Sequence, residues 1–277
     1  MSRKYWAVVA ILVILLAIDQ WVKIYIKSSF SPNETQYVFG NWFALHYIEN
    51  QGMAFGTTLG GSIYGKLALS IFRIVAIAGI AYYIWREVKK HIAWPQLIAL
   101  TMILAGATGN LIDSMCYDFI FPFNPCDSFN QLEGSGIKMN CDQYGISFPV
   151  EVRNKGFLFG NVVDMFHFDA YWPSWMPWLG DKPVFPAIWN VADSCISLGV
   201  LLFVYLWLKQ SEAKLIWQIL AFISPIAGII MFFKHRETNK NKAQRYFFVA
   251  LISIALSILY LLSQPSLSYT IYSNQLK

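Results

Sequence analysis

Long apolar segments constrain the fold of this chain more than any other sequence feature. Four of them are long enough to span a bilayer, which takes roughly 20 helical residues. They run from about Tyr5 to Ile26, Lys66 to Trp85, Pro95 to Met115 and Ile188 to Leu208. Only 13% of the 277 residues are charged, whereas a soluble domain carries about 25%. The sequence therefore predicts an all-α polytopic membrane protein with a four-helix transmembrane core.

Basic residues beside these segments predict the orientation of the helices. They precede the first apolar segment and follow the second: Arg3, Lys4, Arg86, Lys89 and Lys90. Because Lys and Arg collect on the cytoplasmic side of a membrane, we expect the amino terminus and the 86–94 turn in the cytoplasm. Loops 27–65 and 116–187 then lie outside. Basic residues grouped this way indicate contact with membrane lipids and no nucleic acid partner.

The first external loop contains the pattern of a strand. Aromatic and β-branched residues fill the stretch from Tyr37 to Tyr47. Within it, Phe43, Leu45 and Tyr47 alternate with smaller or polar residues, as in a half-buried strand. We therefore expect a small extracytoplasmic β-sheet that lies on the membrane.

The second external loop is too long to lack structure of its own, which predicts an ordered insertion at 116–160. It contains Cys116, Cys126 and Cys141, whereas Cys195 lies in the fourth apolar segment. In an oxidising exterior a bridge between Cys126 and Cys141 is one pairing to consider. The sequence leaves the pairing open because three external cysteines leave one over.

Residues 209–277 form a C-terminal extension with one or two further membrane segments, near 215–233 and 246–262. Full crossing of the first would place a basic cluster outside, against the orientation rule. This cluster comprises Lys234, Arg236, Lys240, Lys242 and Arg245. Pro225 and Gly228 interrupt the same segment, which favours a re-entrant hairpin there and a fifth crossing at 246–262. A sixth full crossing is the alternative.

Carboxylates at membrane helices require a physical explanation, because an ionised acid at the bilayer centre costs about 2.5–3.5 kcal/mol. Asp19 and Lys23 are four residues apart on one helical face and can form a structural pair. Asp193 lies at the outer end of the fourth segment, with Asn190 one turn before it. Asp164 lies in an apolar stretch that follows the insertion. A cap or turn would explain either acid alone, but two acids at one membrane face indicate a dyad.

Such a dyad has a defined chemistry. Two carboxylates a few ångströms apart in a poorly solvated site cannot both ionise, so one stays protonated. The ionised partner can take a proton from water that attacks a peptide carbonyl, while the protonated partner donates to the carbonyl oxygen. Peptide hydrolysis then needs no metal and no cofactor.

Five motifs resemble, in order, the signature blocks of lipoprotein signal peptidases, the signal peptidase II family. The motifs are Asp19-Gln-Trp-Val-Lys23, Asn50-Gln-Gly-Met-Ala-Phe-Gly56, Gly106-Ala-Thr-Gly-Asn-Leu-Ile-Asp113, Val162-Val-Asp164 and Asn190-Val-Ala-Asp193. The resemblance covers roughly residues 5–208, which predicts a membrane core at residues 1–208. It implies an aspartyl endopeptidase of the bacterial inner membrane with its active site at the outer face. This enzyme cuts diacylglyceryl-modified prolipoproteins before the lipidated cysteine; we expect a monomer.

The resemblance also implies roles for individual residues. Asp164 and Asp193 match the catalytic aspartates. Further residues match positions that shape the site, bind the substrate backbone or support the architecture: Asn50, Gly52, Asn110, Asp113, Asn190, Asp19 and Lys23. The family usually has Arg after the acid that matches Asp113, whereas this chain has Ser114. The insertion and everything after about residue 209 also depart from the family pattern.

Three other functions compete with this interpretation. A proton- or ion-coupled transporter would place its carboxylates near mid-bilayer on broken helices, whereas these acids lie at the outer boundary. A serine protease could use Ser194 and His167, but the chain lacks a Gly-x-Ser-x-Gly motif. A metalloprotease would need a His-Glu-x-x-His helix, which is also missing.

Overall fold

The computed structural model describes residues 3–50, 63–209, 222 and 224–263. The chain divides into two compact units, Met1–Leu202 and Phe203–Lys277. Within the described residues, four helices are long and apolar enough to cross a membrane: α1 (Arg3–Ser29), α2 (Ile63–Lys89), α3 (Trp94–Ile120) and α4 (Val191–Lys209). They confirm the predicted four-helix core of a polytopic membrane protein.

Helix α3 lies at the centre of the first unit. In the most apolar 18-residue stretch of α3, 67% of the residues are buried inside the protein. The corresponding shares are 17% for α1, 11% for α2 and 17% for α4. A β-carbon on Gly106 of α3 would collide with the backbone oxygen of Ala192 in α4. Small residues thus allow the backbones of these two helices to approach closely, as is common between membrane helices.

At one end of the first unit, α1 contacts the last turns of α2 and the turn that joins α2 to α3. The Lys4 ammonium donates to the backbone oxygen of Ile92 at 2.6 Å, and the Tyr5 hydroxyl donates to that of Trp85 at 3.2 Å. The amino terminus and the 86–94 turn therefore lie at the same end of the bundle, as the charge pattern predicts.

A three-stranded antiparallel sheet contains β1 (Thr35–Phe39), β2 (Phe43–Asn50) and β5 (Val162–Phe168), in the order β1-β2-β5. It confirms the predicted sheet, but the stretch 37–47 contributes two strands joined by a turn rather than one strand. The register of β2 against β5 shifts between Leu45 and Ile48. For this reason Ala44 and Tyr47 are the buried residues of β2, not a strict alternating set.

The insertion begins later than the sequence indicates, because α3 continues to Ile120 and includes Cys116. It contains a short 3-10 helix, Ser128–Asn130, and a hairpin of β3 (Lys138–Gln143) and β4 (Ile146–Glu151). A disulfide joins Cys126 to Cys141, whereas Cys116 and Cys195 are free thiols.

A buried ion pair fixes the insertion to the last turn of α3. The Arg153 guanidinium donates to both carboxylate oxygens of Asp118, at 2.7 and 2.9 Å, and its Nε donates to Asn130 Oδ1 at 2.9 Å. Bidentate pairs of this kind fix orientation as well as position. The insertion is therefore anchored directly to a helix of the core.

The second unit contains the end of α4 together with α5 (Pro225–His235) and α6 (Lys240–Ser263). Ser224 caps α5 by accepting a hydrogen bond from the Ala227 amide. Tyr246 and Val249 of α6 are buried against Trp207, Leu208 and Met231. The predicted segment 215–233 lies partly outside the described residues, so the number of crossings after residue 209 stays a prediction.

Candidate active site

Asp164 and Asp193 lie on the wall of one cavity of about 520 Å³. Asp164 is the third residue of β5, and Asp193 is the third residue of α4. The two acids are far apart along the chain and come together because Trp189, just before α4, exchanges backbone hydrogen bonds with Phe166 of β5. Apolar side chains from α2, α3 and the segment before α4 form much of the remaining wall.

Asn190 connects the two aspartates. Its Nδ2 donates to Asp164 Oδ1 at 2.6 Å, and its Oδ1 accepts a hydrogen bond from the Asp193 amide at 2.8 Å. The second bond is that of an N-cap, since Asn190 immediately precedes α4. The expected placement of Asn190 inside the helix, one turn before Asp193, is therefore wrong, because α4 begins at Val191 and not at Ile188.

Asp164 is almost completely buried, with 1% of its surface exposed. It accepts hydrogen bonds from the side-chain amides of Asn190 and Asn50. Burial raises the pKa of Asp164 well above the ordinary range of a carboxyl, and the charge of Asp193 raises it further. Burial therefore favours the protonated form of Asp164.

Asp193 is bound from the side of α3. Asn110 Nδ2 donates to Asp193 Oδ1 at 2.8 Å. The other atom of that amide, Oδ1, accepts from Asn190 Nδ2 at 3.2 Å and from Lys23 Nζ at 2.8 Å. A buried chain of amides thus connects both aspartates to a cation on α1.

Lys23 is fully buried and lies between two carboxylates. Its ammonium lies 2.8 Å from Asp113 and 3.1 Å from Asp19. Asp19 also accepts from the Ala192 amide at 2.8 Å, at the start of α4. The first motif therefore does more than form the Asp19–Lys23 pair that the sequence predicts. It also binds the helix that carries Asp193. A buried cluster of charges persists only when each charge is paired, and here the pairs join α1, α3 and α4.

Comparison with known sequences decides the family. The protein family described as Signal peptidase (SPase) II matches residues 11–209, which is more than half of the chain. The chain belongs to the signal peptidase II family.

Relatives of known name agree with this assignment. A lipoprotein signal peptidase of Porphyromonas gingivalis is 38% identical over 203 residues, which cover 70% of this chain and 80% of that protein. One from Amoebophilus asiaticus is 31% identical over 211 residues, covering 74% of this chain and 78% of the relative. A solved bacterial membrane enzyme aligns over 75% of this chain and 93% of its own, at 19% identity and a TM-score of 0.47.

Membership in the signal peptidase II family makes the chain a peptidase, and the transporter alternative has no support. The serine alternative gains no support from the contacts, because the Ser194 hydroxyl donates to the backbone oxygen of Asn190 at 3.1 Å and the His167 ring packs beside that of His46. Among residues 3–50, 63–209 and 224–263, no three His, Cys, Asp or Glu side chains are grouped to hold a metal. Of the predicted site residues, Gly52 lies outside the described part of the chain.

Two polar residues of this signal peptidase II site are missing from the predicted set of site residues. Gln20 donates to Asp113 Oδ1 at 2.9 Å and to Asp19 Oδ2 at 3.1 Å, so it joins the cluster around Lys23. Arg73 of α2 lies on the cavity wall and contacts Ser114. Gln20 lies within the first motif, and its helical spacing from Lys23 could have indicated it. Arg73 is a cation inside an apolar segment, a signal that the sequence already contains.

Proposed function

We propose that this signal peptidase II removes the signal peptides of diacylglyceryl-modified prolipoproteins by cutting before the lipidated cysteine. The observation that carries the proposal is the pair of carboxylates, Asp164 and Asp193, on one cavity wall and linked by Asn190. The names of the relatives provide the substrate class.

The dyad acts on the scissile peptide bond with one shared proton. The ionised carboxylate accepts a proton from the attacking water, and the protonated one donates to the carbonyl oxygen. Collapse of the tetrahedral intermediate then returns a proton to the departing amine. The hydrogen bonds from Asn190, Asn110 and Asn50 hold both carboxylates in place, which preserves the geometry that proton transfer requires.

The cavity suits a lipid-modified substrate. Its wall includes apolar side chains from several parts of the first unit: Phe72, Ala76, Ile80, Ile103, Phe185 and Ile196. Such a surface favours acyl chains and the apolar core of a signal peptide, while the polar groups gather around the dyad. The remaining site residues have two roles. Asn50 and Gly52 bind the substrate backbone, whereas Asp19, Lys23 and Asp113 hold the helices in position.

The cellular setting follows from the same function. A precursor must be exported before its signal peptide is removed, so we place the enzyme in a bacterial inner membrane with its active site at the outer face. The amino terminus then lies in the cytoplasm, in agreement with the basic residues beside α1 and α2. Membrane lipids surround the apolar helices, and a single copy contains all the residues of the site.

Replacement of either aspartate tests the proposal. Asp164→Asn and Asp193→Asn each remove the carboxyl that takes or gives a proton, so we expect loss of cleavage with the protein still folded. Asp169→Asn is the matched control, because Asp169 follows β5 and accepts a hydrogen bond from the Tyr37 hydroxyl instead of lining the cavity. The assay measures release of the signal peptide from a purified diacylglyceryl-modified precursor in detergent micelles.

The unmodified precursor is the second arm of the assay. We expect cleavage of the modified precursor alone, because the lipid contributes binding in the apolar cavity. Substantial turnover by Asp164→Asn or Asp193→Asn would contradict the dyad, and equal cleavage of both precursors would contradict the substrate class.

A further inference from the structure

Arg73 is the feature of the site that the mechanism leaves unexplained. It lies in α2, among apolar residues that suit a membrane span, and its side chain is half-buried. A cation in that position is costly, and such residues in membrane helices mark functional sites. Arg73 shares the cavity wall with Asp164 and Asp193.

The surroundings of Arg73 show where its charge acts. Burial disfavours the charged guanidinium, whereas the carboxylates of Asp193, Asp113 and Asp164 favour it, and Asp193 is the strongest of the three. Asp113 also forms an ion pair with Lys23 at 2.8 Å. The charge of Arg73 therefore acts on Asp193 and Asp164, which line the same cavity, as well as on Asp113 of the Lys23 cluster.

Ser114 fixes the guanidinium on the α3 side of the cavity. Arg73 Nη1 lies 3.5 Å from Ser114 Oγ, and that hydroxyl also faces the backbone oxygen of Asn110 at 3.3 Å. Position 114 is fully buried, with 1% of the residue exposed. The guanidinium thus contacts a buried hydroxyl and lines the same cavity as the aspartates.

We propose that Arg73 binds the substrate by donating hydrogen bonds to carbonyl oxygens of the precursor beside the dyad. This inference rests on the proposed function and adds a binding residue to it. The guanidinium stays protonated at all relevant pH values and has five N–H donors in a rigid fork. Bonds from a charged donor to a carbonyl are stronger than neutral ones, especially in an apolar site.

Two kinds of carbonyl oxygen in this substrate offer the same chemistry. One belongs to the peptide backbone near the scissile bond, and the other to the acyl esters of the diacylglyceryl group. A precursor whose lipid is joined through ether bonds keeps the alkyl chains but has no ester carbonyls. This substrate distinguishes the two sources of acceptor.

Arg73→Met is the first test, because methionine keeps an unbranched apolar stem and removes the charge and all five donors. We expect kcat/KM on the ester-linked precursor to fall roughly tenfold to a hundredfold, the effect of losing one charged hydrogen bond. Most of the change should appear as a higher KM, since the lost contact binds the substrate. Thermal stability in detergent should be unchanged or higher.

Arg86→Met is the matched control on the same helix. Arg86 pairs with the neighbouring Glu87 at 3.0 Å and its side chain is 47% exposed, remote in sequence from the cavity residues of α2. We expect this variant to retain parental KM and kcat. On the ether-linked precursor, the defect of Arg73→Met persists if the acceptor is a backbone carbonyl and disappears if it is an ester.

Moving the guanidinium across the cavity wall is the second test. Because Arg73 and Ser114 are in contact, the double variant Arg73→Met with Ser114→Arg places a guanidinium in the same part of the cavity, now carried by α3 instead of α2. We expect it to recover most of the kcat/KM that Arg73→Met loses. A role in packing alone would not be rescued in this way.

The outcomes separate this inference from the proposed function. Parental KM in a folded Arg73→Met variant, while Asp164→Asn is inactive, would overturn the role of Arg73 and leave the peptidase assignment intact. A lower kcat with parental KM and no rescue by Ser114→Arg would also overturn it. Failure of the parental protein to cleave any lipid-modified precursor would overturn the proposed function itself.

Discussion

Two buried asparagines determine how the aspartates of this site are held. Asn190 binds Asp164 through its nitrogen and the Asp193 amide through its oxygen. Asn110 binds Asp193 and is itself bound by Lys23. An amide suits this position because it donates and accepts at once without adding charge. The pair of acids therefore has a fixed geometry, which the proposed exchange of a single proton requires.

The pH dependence of cleavage follows from the environment of Asp164. Burial and the charge of Asp193 raise its pKa. As pH rises through this raised pKa, the last proton leaves the dyad and activity falls. As pH falls, the ionised partner becomes protonated and no base is left. We expect a bell-shaped profile of kcat/KM with an alkaline limb well above the value of about 3.9 for an ordinary aspartate.

The measurement is the rate of cleavage of a lipid-modified precursor across a pH series, with Asp169→Asn as the control that should keep the parental profile. Loss of activity on the alkaline side at about pH 4, where an unperturbed aspartate ionises, would contradict the raised pKa.

The approach of α3 to α4 determines where Asp193 lies. Asp193 is in the first turn of α4, where the helix dipole favours a negative charge. The start of that helix is bound to α1 through Asp19 and the Ala192 amide. It also packs directly on Gly106 and Gly109 of α3. The position of one catalytic group thus depends on backbone packing between helices.

Gly106→Ala tests this packing. The added methyl would collide with the backbone oxygen of Ala192, which cannot move without shifting α4. We expect a loss of stability of about 1–3 kcal/mol, as for other overpacked interiors. Cleavage should fall as well, because Asp193 moves with the helix. Thermal unfolding in detergent and the cleavage rate are the two measurements.

Gly79→Ala in α2 is the matched control, because nothing lies within 4 Å of a β-carbon there. Alanine is the better helix former, so this variant should be as stable as the parent or slightly more stable. Equal effects of the two substitutions would show that helix propensity, and not the close approach of α3 and α4, determines the result.

At the level of the complete chain, all described site residues belong to the first unit, Met1–Leu202. The family match ends at residue 209, where α4 also ends. The separation of a 1–208 core from a 209–277 extension is a prediction that follows from both facts. Tyr246 of the extension is buried against Met231 and against Trp207 and Leu208 at the end of α4, so the extension packs on the last turns of that helix.

A chain that ends at Lys209 tests this division. We expect it to insert in the membrane and to cleave the lipid-modified precursor at a rate comparable to that of the full-length protein, because the dyad and its hydrogen-bond partners are retained. The measurement compares kcat/KM of the two purified proteins, with Asp164→Asn in the short chain as the inactive control. An inserted and folded but inactive short chain would show that the extension contributes to the site.

The sequence predicts the elements of this protein well and some boundaries poorly. Hydropathy locates all four core helices, because a membrane span is encoded by a continuous apolar run. It misplaces the end of α3, because Asp118 in the extra turn is polar and is bound by Arg153 from the insertion. It also misplaces the start of α4, because Asn190 caps that helix from outside. Residue patterns along the chain do not contain that long-range partner.

The residue types of the site were also readable, because the motifs are short and local. Their connections were not. Asn110 and Asp193 are 83 residues apart, and Lys23 and Asn110 are 87 apart, yet each pair is joined by a hydrogen bond. Neither the N-cap of Asn190 nor the place of Arg73 beside Ser114 follows from spacing. Local chemistry is fixed by the order of residues, whereas hydrogen bonds between distant side chains depend on helix packing, which only the tertiary structure decides.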